Sequence, residues 1–212
     1  MKWIPNALTI GRCVFAVCVL VGVWQGVAMD PGLTGDLPQS AFERHAATQQ
    51  LWYQFAFLAF LSGALTDFLD GWLARKLNAH SRFGVWLDPI ADKLLIAAAL
   101  LGLAMMLRTW LVYIPAAMII ARDVFITWFR TTPRGAAAVS PSGIAKWKTA
   151  VEMVALIGLM LPFALWPRSY VMAEGDIRTQ FITYVLVVLL WVAAGLSWWT
   201  GWLYVRPSHS AR

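Results

Sequence analysis

The sequence predicts an all-α, polytopic membrane protein in which six transmembrane helices form one bundle. Of its 212 residues, 60% are hydrophobic and only 13% are charged, which lies outside the usual range of water-soluble domains. Six apolar runs also reach the roughly 20 residues needed to cross about 30 Å of hydrocarbon. The runs lie near residues 9–29, 51–74, 85–107, 109–130, 145–166 and 179–205. They nearly fill the chain, so residues 1–212 are interpreted as one membrane domain.

The distribution of charge supports this interpretation. The formal net charge is +6, but the basic residues are scattered between apolar runs and form no stripe, which argues against a nucleic-acid partner. If the N-terminus is cytoplasmic, most Lys and Arg residues of the connecting segments fall on the inside. The outside then holds only Arg44, Arg108, Arg168 and Arg178. This bias follows the positive-inside rule and predicts that both termini are cytoplasmic.

Local sequence features mark the limits of the predicted spans. The first run follows a basic start, but Arg12 comes late and no small-residue cleavage site follows Trp24, which favours an uncleaved span over a secretory signal. Proline and glycine mark residues 30–50 as an outside loop, with room for a short surface helix. Short connections at 75–84 and 130–145 join spans two to three and four to five. Tryptophans crowd the span ends, where amphipathic rings favour the membrane interface.

Two pairs of aspartates lie at the predicted cytoplasmic ends of the second and third spans. Asp67 and Asp70 are three residues apart, and Asp88 and Asp92 are four apart, so each pair shares a helix face. An uncompensated Asp at mid-bilayer costs about 2.5–3.5 kcal/mol, and neighbouring carboxylates repel one another. A divalent cation relieves both costs. Hard oxygen ligands suit Mg²⁺ or Mn²⁺, and two such ions suit a pyrophosphate substrate.

Simpler roles remain open for single members of this group. Any one aspartate could form a salt bridge at a helix end with Arg75, Lys76 or Lys93. Asp88 stands directly before Pro89 and could be the N-cap of the third helix, with proline at its first position. Four such roles at once are a less economical explanation than one shared cation.

The aspartates belong to one continuous pattern, Asp67-x2-Asp70-Gly71-x2-Ala74-Arg75-x8-Gly84-x3-Asp88-x3-Asp92. It matches every fixed position in the signature of the CDP-alcohol phosphotransferase family, which the chain therefore resembles. The resemblance implies a pair of divalent metals at Asp67, Asp70 and Asp88, with Asp92 completing the carboxylate cluster and acting as the catalytic base. It also implies a CDP-lipid site that consists of Asp67, Gly71, Ala74, Arg75 and Gly84.

Cations on the same side of the membrane predict the class of acceptor. Arg122 lies inside the fourth span, eight residues before Arg130, so a helix brings both guanidinium groups onto roughly one face. A cation within a span faces the bundle interior, where Arg122 could bind an anionic acceptor or pair with Asp123 or Glu152. We favour the first and predict that four residues bind an acceptor phosphate: Arg122, Arg130, Lys146 and Lys148.

Further segments resemble one subfamily, the bacterial phosphatidylglycerophosphate synthases. They are residues 4–12, Ala121-Arg122-Asp123 with Arg130, and Lys146-Trp147-Lys148-Thr149-Ala150. The resemblance implies a homodimer in a bacterial inner membrane that uses CDP-diacylglycerol and sn-glycerol 3-phosphate to form phosphatidylglycerophosphate. Two departures, Asp123 in place of the usual Glu and Ala145 in place of the usual Gly, keep another acceptor open: phosphatidylglycerol, as in the cardiolipin synthases of this family.

Two rival classes use similar residues. An intramembrane prenyltransferase also holds a diphosphate with paired Asp motifs and Mg²⁺, but the glycine, alanine and arginine positions after the first pair disfavour it. A divalent-metal transporter would need acids that continue across the bilayer. The outer halves of the spans, such as residues 97–106 and 155–161, hold no ionisable residue. The sequence therefore favours an enzyme whose active site lies near the cytoplasmic side.

Overall fold

The structure, a computed structural model, describes residues 3–33, 38–77, 82–132, 144–166, 168–171 and 177–205. Every regular element within those ranges is an α-helix. The helices are α1 Trp3–Ala28, α2 Gln39–Leu77, α3 Arg82–Leu107, α4 Trp110–Thr131, α5 Ile144–Leu165, α6 Arg168–Val171 and α7 Ile177–Val205. Within them, the side chains of residues 3–6, 67–77, 82–86, 144–147, 169–170, 177 and 179 lie outside the description.

The prediction of an all-α, multi-pass membrane protein is confirmed. Five stretches are long and apolar enough to cross a membrane: Ala7–Ala28, Leu87–Leu107, Trp110–Thr131, Lys148–Leu165 and Gln180–Val205. They coincide with five of the six predicted runs. The remaining run, 51–74, lies within α2, but only its first part, residues 51–66, has described side chains, and this part is too short for a full span. That sixth span stays a prediction.

The surface of the bundle is suited to lipid. On α1, Val14, Val17, Val21 and Trp24 are exposed, the last by 65%. They are three or four residues apart and so form a single stripe along the helix. A continuous apolar stripe of this kind is rarely left open in a water-soluble monomer. Hydrocarbon is therefore its natural solvent.

Helix α2 begins earlier than the sequence predicted. Residues 39–50, expected within an outside loop, are helical and continuous with the apolar part of α2. No proline or glycine follows Pro38 in this segment, and the carbonyl of Pro38 accepts hydrogen bonds from the backbone N–H groups of Ala41 and Phe42. Hydropathy detects the membrane-spanning part of a helix and not a polar extension of it, which explains the difference.

Glycines let α1 and α2 pack closely. Gly22 and Gly26 are one turn apart on α1 and lie against Ala56 and Tyr53 of α2. A Cβ atom on Gly26 would be only 2.4 Å from Cε1 of Tyr53, so a larger residue would force the helices apart. Small residues commonly allow this close approach in membrane bundles. The packing fixes α2 against α1 and so sets the position of the aspartates farther along α2.

The bundle has two polar ends. We call the first the site end; α1, α3 and α5 begin there, and α2, α4 and α7 end there. Side chains join these helices at the site end in three pairs: Thr9 with Asp88, Lys148 with Asp123, and Arg122 with the Ser197 carbonyl. At the opposite end, the buried Asp30 pairs with Arg108 and Arg168. The predicted site residues all belong to the helix segments of the site end.

Candidate active site

The backbones of α2 and α3 carry the aspartate signature to the site end. Helix α2 continues through Asp67 and Asp70 to Leu77, and α3 contains Asp88 and Asp92 in its first half. Helical spacing keeps each pair on one face. The side chains of six signature residues lie outside the described residues, and their roles stay predictions: Asp67, Asp70, Gly71, Ala74, Arg75 and Gly84.

The first helix orients the carboxylate of Asp88. The buried hydroxyl of Thr9 donates a hydrogen bond to Oδ1 of Asp88 across the α1–α3 interface. The N-cap expectation for Asp88 is wrong, because α3 already begins at Arg82 and Pro89 lies inside the helix. Since Asp88 does not cap the helix, its carboxylate is available for a ligand.

A polar cavity of about 150 Å³ lies at the site end among α3, α4, α5 and α7. Its lining includes four cations and three carboxylates: Lys93, Arg122, Arg130 and Lys148, with Asp92, Asp123 and Glu152. With all of them ionised, the lining carries one more positive than negative charge. Uncompensated charge away from water costs several kcal/mol. Such a lining therefore favours an anionic ligand.

Asp123 is the centre of the ion pairs in this cavity. Its Oδ1 atom accepts hydrogen bonds from Nη1 of Arg122 at 2.7 Å and from Nζ of Lys148 at 3.0 Å. Lys93 also bonds to α4, through the Asp123 carbonyl at 3.4 Å and the Thr127 hydroxyl. One carboxylate therefore fixes cations of both α4 and α5. Lys93, a possible salt-bridge partner of the signature aspartates, is directed toward α4.

Three separate groups hold the guanidinium of Arg122. Besides its bond to Asp123, Nε donates to the Ser197 carbonyl at 2.9 Å and Nη2 donates to the Thr200 hydroxyl at 3.1 Å. Gly201 allows the close approach, since a Cβ there would be 3.2 Å from Nε. Of the two roles the sequence left open, the pairing with Asp123 is present, and Arg122 also lines the cavity. A guanidinium fixed in this way is preorganised for an oxyanion.

Arg130 and Lys148 line the same cavity as Arg122. Arg130 lies in the last turn of α4, and its guanidinium carbon is 5.3 Å from the ring centre of Tyr204, a cation–π contact with α7. Lys148 is buried in the first turns of α5. The fourth predicted phosphate ligand, Lys146, has its side chain outside the described residues.

Glu152 is a cavity residue that the sequence pattern did not assign to the site. Its side chain is 1% exposed, and Oε2 lies 3.7 Å from Nζ of Lys148. The other oxygen, Oε1, is buried and has no hydrogen-bond partner among the described residues. The signal for it was a carboxylate inside an apolar run, four residues after a lysine. Spacing alone could not reveal that this carboxylate faces the cavity.

An apolar groove of about 450 Å³ adjoins the polar cavity along α3 and α4. Lys93, Ile96 and Asp123 line both spaces, so the two share a wall. Away from that wall, the groove is lined mainly by aliphatic side chains, among them Leu100 and Ile119. A molecule with a charged head and an apolar tail could occupy both spaces at once.

The predicted aspartate cluster contains the ligand types of a divalent-metal site. Carboxylate oxygens are ligands that Mg²⁺ and Mn²⁺ prefer, and the two helices supply them in pairs. Within the described ranges, no three or more His, Cys, Asp or Glu residues are grouped to hold a metal. Those ranges leave out the side chains of Asp67 and Asp70, which are half of the predicted cluster. By ligand type and helical spacing, the residues fit such an ion.

Comparisons with known proteins point to one family. Residues 2–205 match the family model described as CDP-alcohol phosphatidyltransferase. Among the relatives named CDP-diacylglycerol–glycerol-3-phosphate 3-phosphatidyltransferase, one from Cereibacter sphaeroides is 34% identical over 181 residues, which cover 73% of this chain and 81% of the relative. One from Escherichia coli K12 is 35% identical over 164 residues, 75% of this chain and 81% of the relative. A plant relative, number 2 of that name in Arabidopsis thaliana, is 36% identical over 160 residues, 69% of this chain and 64% of the relative.

Proposed function

This chain belongs to the CDP-alcohol phosphatidyltransferase family, and we propose that it transfers a phosphatidyl group from CDP-diacylglycerol to sn-glycerol 3-phosphate. The products are phosphatidylglycerophosphate and CMP. The names of the relatives support this choice of substrates. The observation that carries it is the polar cavity, which Asp92 lines together with four cationic side chains.

The acceptor phosphate is proposed to bind to the cations of that cavity: Arg122, Arg130 and Lys148, with Lys146 close by in sequence. Arg122 offers a planar fork that matches pairs of phosphate oxygens. Asp123 serves as an internal counter-ion, because it holds Arg122 and Lys148 in place while no acceptor is bound. The phosphate would then share these cations with Asp123, and the cations would already be in position when it binds.

The reaction makes one bond and breaks another. The primary hydroxyl oxygen of the acceptor attacks the lipid-side phosphorus of the donor. The bond from that phosphorus to the CMP oxygen breaks, and CMP leaves with the electron pair. Asp92 accepts the hydroxyl proton as general base. Its place on the cavity wall, about one turn after Asp88 on α3, supports this role.

The donor diphosphate is proposed to lie at the aspartate signature. The family is generally dependent on a divalent metal, and we propose two Mg²⁺ or Mn²⁺ ions held by Asp67, Asp70 and Asp88, with Asp92 alongside. When bound, such ions supply positive charge to the diphosphate and to the departing CMP. Thr9 positions Asp88 through its hydrogen bond. Four other signature residues are proposed to admit the cytidine diphosphate: Gly71, Ala74, Arg75 and Gly84.

The proposed substrates also fit a membrane setting. The apolar groove beside the cavity has the character needed for an acyl chain of a lipid substrate. We propose that the site end faces the cytoplasm at a bacterial inner membrane, with both termini on that side, because the bias of Lys and Arg supports this orientation. A homodimer is proposed from family resemblance.

A second acceptor, phosphatidylglycerol, is favoured by one observation. The groove and the polar cavity share Lys93 and Asp123, so a lipid whose headgroup lies in the cavity could place its tail in the groove. The product would then be cardiolipin. Glycerol 3-phosphate remains the first choice, because its phosphate matches the number of cations in the cavity better than an uncharged glycerol headgroup does.

One assay tests both acceptors. Purified protein is incubated with CDP-diacylglycerol and Mg²⁺ or Mn²⁺, and CMP release is measured without acceptor, with sn-glycerol 3-phosphate, or with phosphatidylglycerol. We expect rapid release only with glycerol 3-phosphate. Release driven only by phosphatidylglycerol would replace the first acceptor with the second. No release with either would contradict the proposed function.

A further inference from the structure

The buried carboxylate of Glu152 has an unused hydrogen-bonding position. Oε1 has no partner among the described residues, although Glu152 is 1% exposed. A buried polar atom without a partner costs about 1–3 kcal/mol, and more when it is charged. Such atoms are rare in native proteins and call for an explanation. In a cavity that is expected to bind a substrate, a missing ligand atom is the simplest one.

The neighbouring cations do not satisfy this oxygen. Lys148 lies within hydrogen-bonding distance of Asp123 at 3.0 Å but is 3.7 Å from Oε2 of Glu152. Arg122 directs its three donor nitrogens to Asp123, Thr200 and the carbonyl of α7 described above. An ionised carboxylate can only accept hydrogen bonds. The missing partner must therefore be a donor, and a hydroxyl group is the donor that an alcohol substrate brings.

We propose that Glu152 recognises the acceptor by accepting a hydrogen bond from its secondary hydroxyl, the one on the carbon next to the phosphate-bearing carbon. This inference rests on the proposed function. Each polar group of glycerol 3-phosphate then has a partner in the cavity. The cations bind the phosphate, Asp92 takes the proton of the primary hydroxyl, and Glu152 binds the secondary hydroxyl. The closeness of Glu152 to Lys148 fits the closeness of that hydroxyl to the phosphate.

A purely structural role for Glu152 makes a different prediction. Glu152 lies one turn after Lys148 on α5 and could simply hold that lysine in place. Loss of such support would weaken every phosphorylated acceptor to the same extent. Loss of a hydrogen bond to the secondary hydroxyl would weaken only acceptors that carry this group. The ratio of two acceptors therefore separates the roles, whatever happens to overall activity.

The experiment compares sn-glycerol 3-phosphate with 3-hydroxypropyl phosphate, which lacks only the secondary hydroxyl. The value of kcat/KM for each is measured from CMP release with the full-length enzyme, Glu152→Ala, Glu152→Gln and the neighbouring control Met153→Ala. We expect the wild-type enzyme to prefer glycerol 3-phosphate by roughly tenfold to a hundredfold, as for a hydrogen bond to a charged group. Glu152→Ala should lose most of that preference, and Met153→Ala should keep it. Glu152→Gln preserves the side-chain size and an accepting oxygen, so it should keep part of the preference.

Three results would overturn the inference. An unchanged preference in Glu152→Ala, with both acceptors weakened equally, would leave Glu152 as a support for Lys148 and leave the proposed function intact. Equal kcat/KM values of the wild-type enzyme for the two acceptors would likewise overturn the role of Glu152 and leave the proposed function intact. No CMP release from the wild-type enzyme with glycerol 3-phosphate would remove the proposed function itself, and this inference with it.

Discussion

Two buried aspartates, Asp30 and Asp123, form similar ion pairs at opposite ends of the bundle. Asp30 accepts two guanidinium groups, from Arg108 at 3.4 Å and from Arg168 at 3.0 Å. Asp123 likewise accepts two cations of the polar cavity, at 2.7 and 3.0 Å. Each carboxylate ties together segments that are distant in sequence. By geometry alone, the two clusters could have the same purpose.

Their surroundings differ. Around Asp30, side chains complete the ends of helices: Gln50 and Gln54 donate to the carbonyls of Leu165 and Ala164, each at 3.0 Å. Helix C-termini leave carbonyl groups without partners within the helix, and such bonds satisfy them. Arg168 does the same for α3, through the Met106 carbonyl at 3.3 Å. The contacts of Asp30, Gln50, Gln54 and Arg168 at the opposite end therefore stabilise the fold, and we call this group the clasp.

Around Asp123, the charged side chains line the polar cavity and do not complete helix ends. The cavity adds the carboxylates of Asp92 and Glu152 to that of Asp123, and one oxygen of Glu152 has no hydrogen-bond partner among the described residues. The same type of ion pair therefore stabilises the fold at one end and prepares a binding site at the other. Substitutions should distinguish these two roles. Changes near Asp123 should alter the kinetics of the enzyme, and changes near Asp30 should alter the stability of the fold.

The largest expected effect belongs to Asp92. Asp92→Asn keeps the size of the side chain but cannot accept the hydroxyl proton. General-base catalysis typically contributes about 10²–10⁴-fold, so CMP release should fall by that factor. Thermal unfolding in detergent should show an unchanged midpoint. Normal CMP release by the folded variant would remove Asp92 from the mechanism.

Lys148→Met should have the second-largest effect on the kinetics. It removes a buried cation that lies 3.0 Å from Asp123 while keeping a chain of similar length. Losing a charge-assisted contact to phosphate should raise the KM for glycerol 3-phosphate by roughly tenfold to a hundredfold. The KM for CDP-diacylglycerol, measured in the same assay, is the internal control. An equal rise in both values would indicate general damage to the fold.

Asp30→Asn tests the clasp. The variant loses its ion pairs to Arg108 and Arg168, both of which are partly exposed and so partly screened by solvent. We expect a loss of about 1–2 kcal/mol in the free energy of unfolding, and a melting temperature lower by a few degrees. The KM for glycerol 3-phosphate at a temperature where the variant is folded should match wild type. A changed KM with unchanged stability would reverse the roles assigned to the two ends.

Gln54→Leu should have the smallest effect. It removes one neutral hydrogen bond to the carbonyl of Ala164 near the end of α5. Such bonds contribute about 0.5–1.5 kcal/mol, so the melting temperature should fall slightly while CMP release stays the same. Gln39→Leu, at the exposed start of α2, provides a control that loses only a long, solvent-exposed hydrogen bond to Glu43, at 3.5 Å. An equal effect of both substitutions would show that the α5 contact does not matter.

Much of the fold followed from the sequence, because membrane-spanning length is encoded in local hydropathy. The five spans that meet the criterion lie where apolar runs were found. The polar start of α2 did not follow, since residues 39–50 favour a helix without being apolar. The helix start at Arg82, which excludes an N-cap role for Asp88, did not follow either, because α3 tolerates Pro89 in its interior.

The site was only partly predictable, because its contacts join distant parts of the chain. The sequence indicated that Arg122, Arg130 and Lys148 lie on the same side of the membrane, and they line one cavity. It could not reveal that Thr9 bonds to Asp88, 79 positions away. Glu152 was recognisable as a carboxylate within an apolar run. Only the packing of α5 against α3 and α7 places it in the cavity.

The central claim is that the cavity around Asp123 binds the acceptor phosphate, and Arg122→Lys tests it most directly. Lysine keeps the positive charge but cannot reproduce the three bonds of the guanidinium. The measurement is the KM for glycerol 3-phosphate, from CMP release at saturating CDP-diacylglycerol, in the wild type, Arg122→Lys and Asp30→Asn. We expect it to rise about tenfold or more in Arg122→Lys and to stay at the wild-type value in Asp30→Asn. A wild-type KM in a folded Arg122→Lys enzyme would contradict the claim.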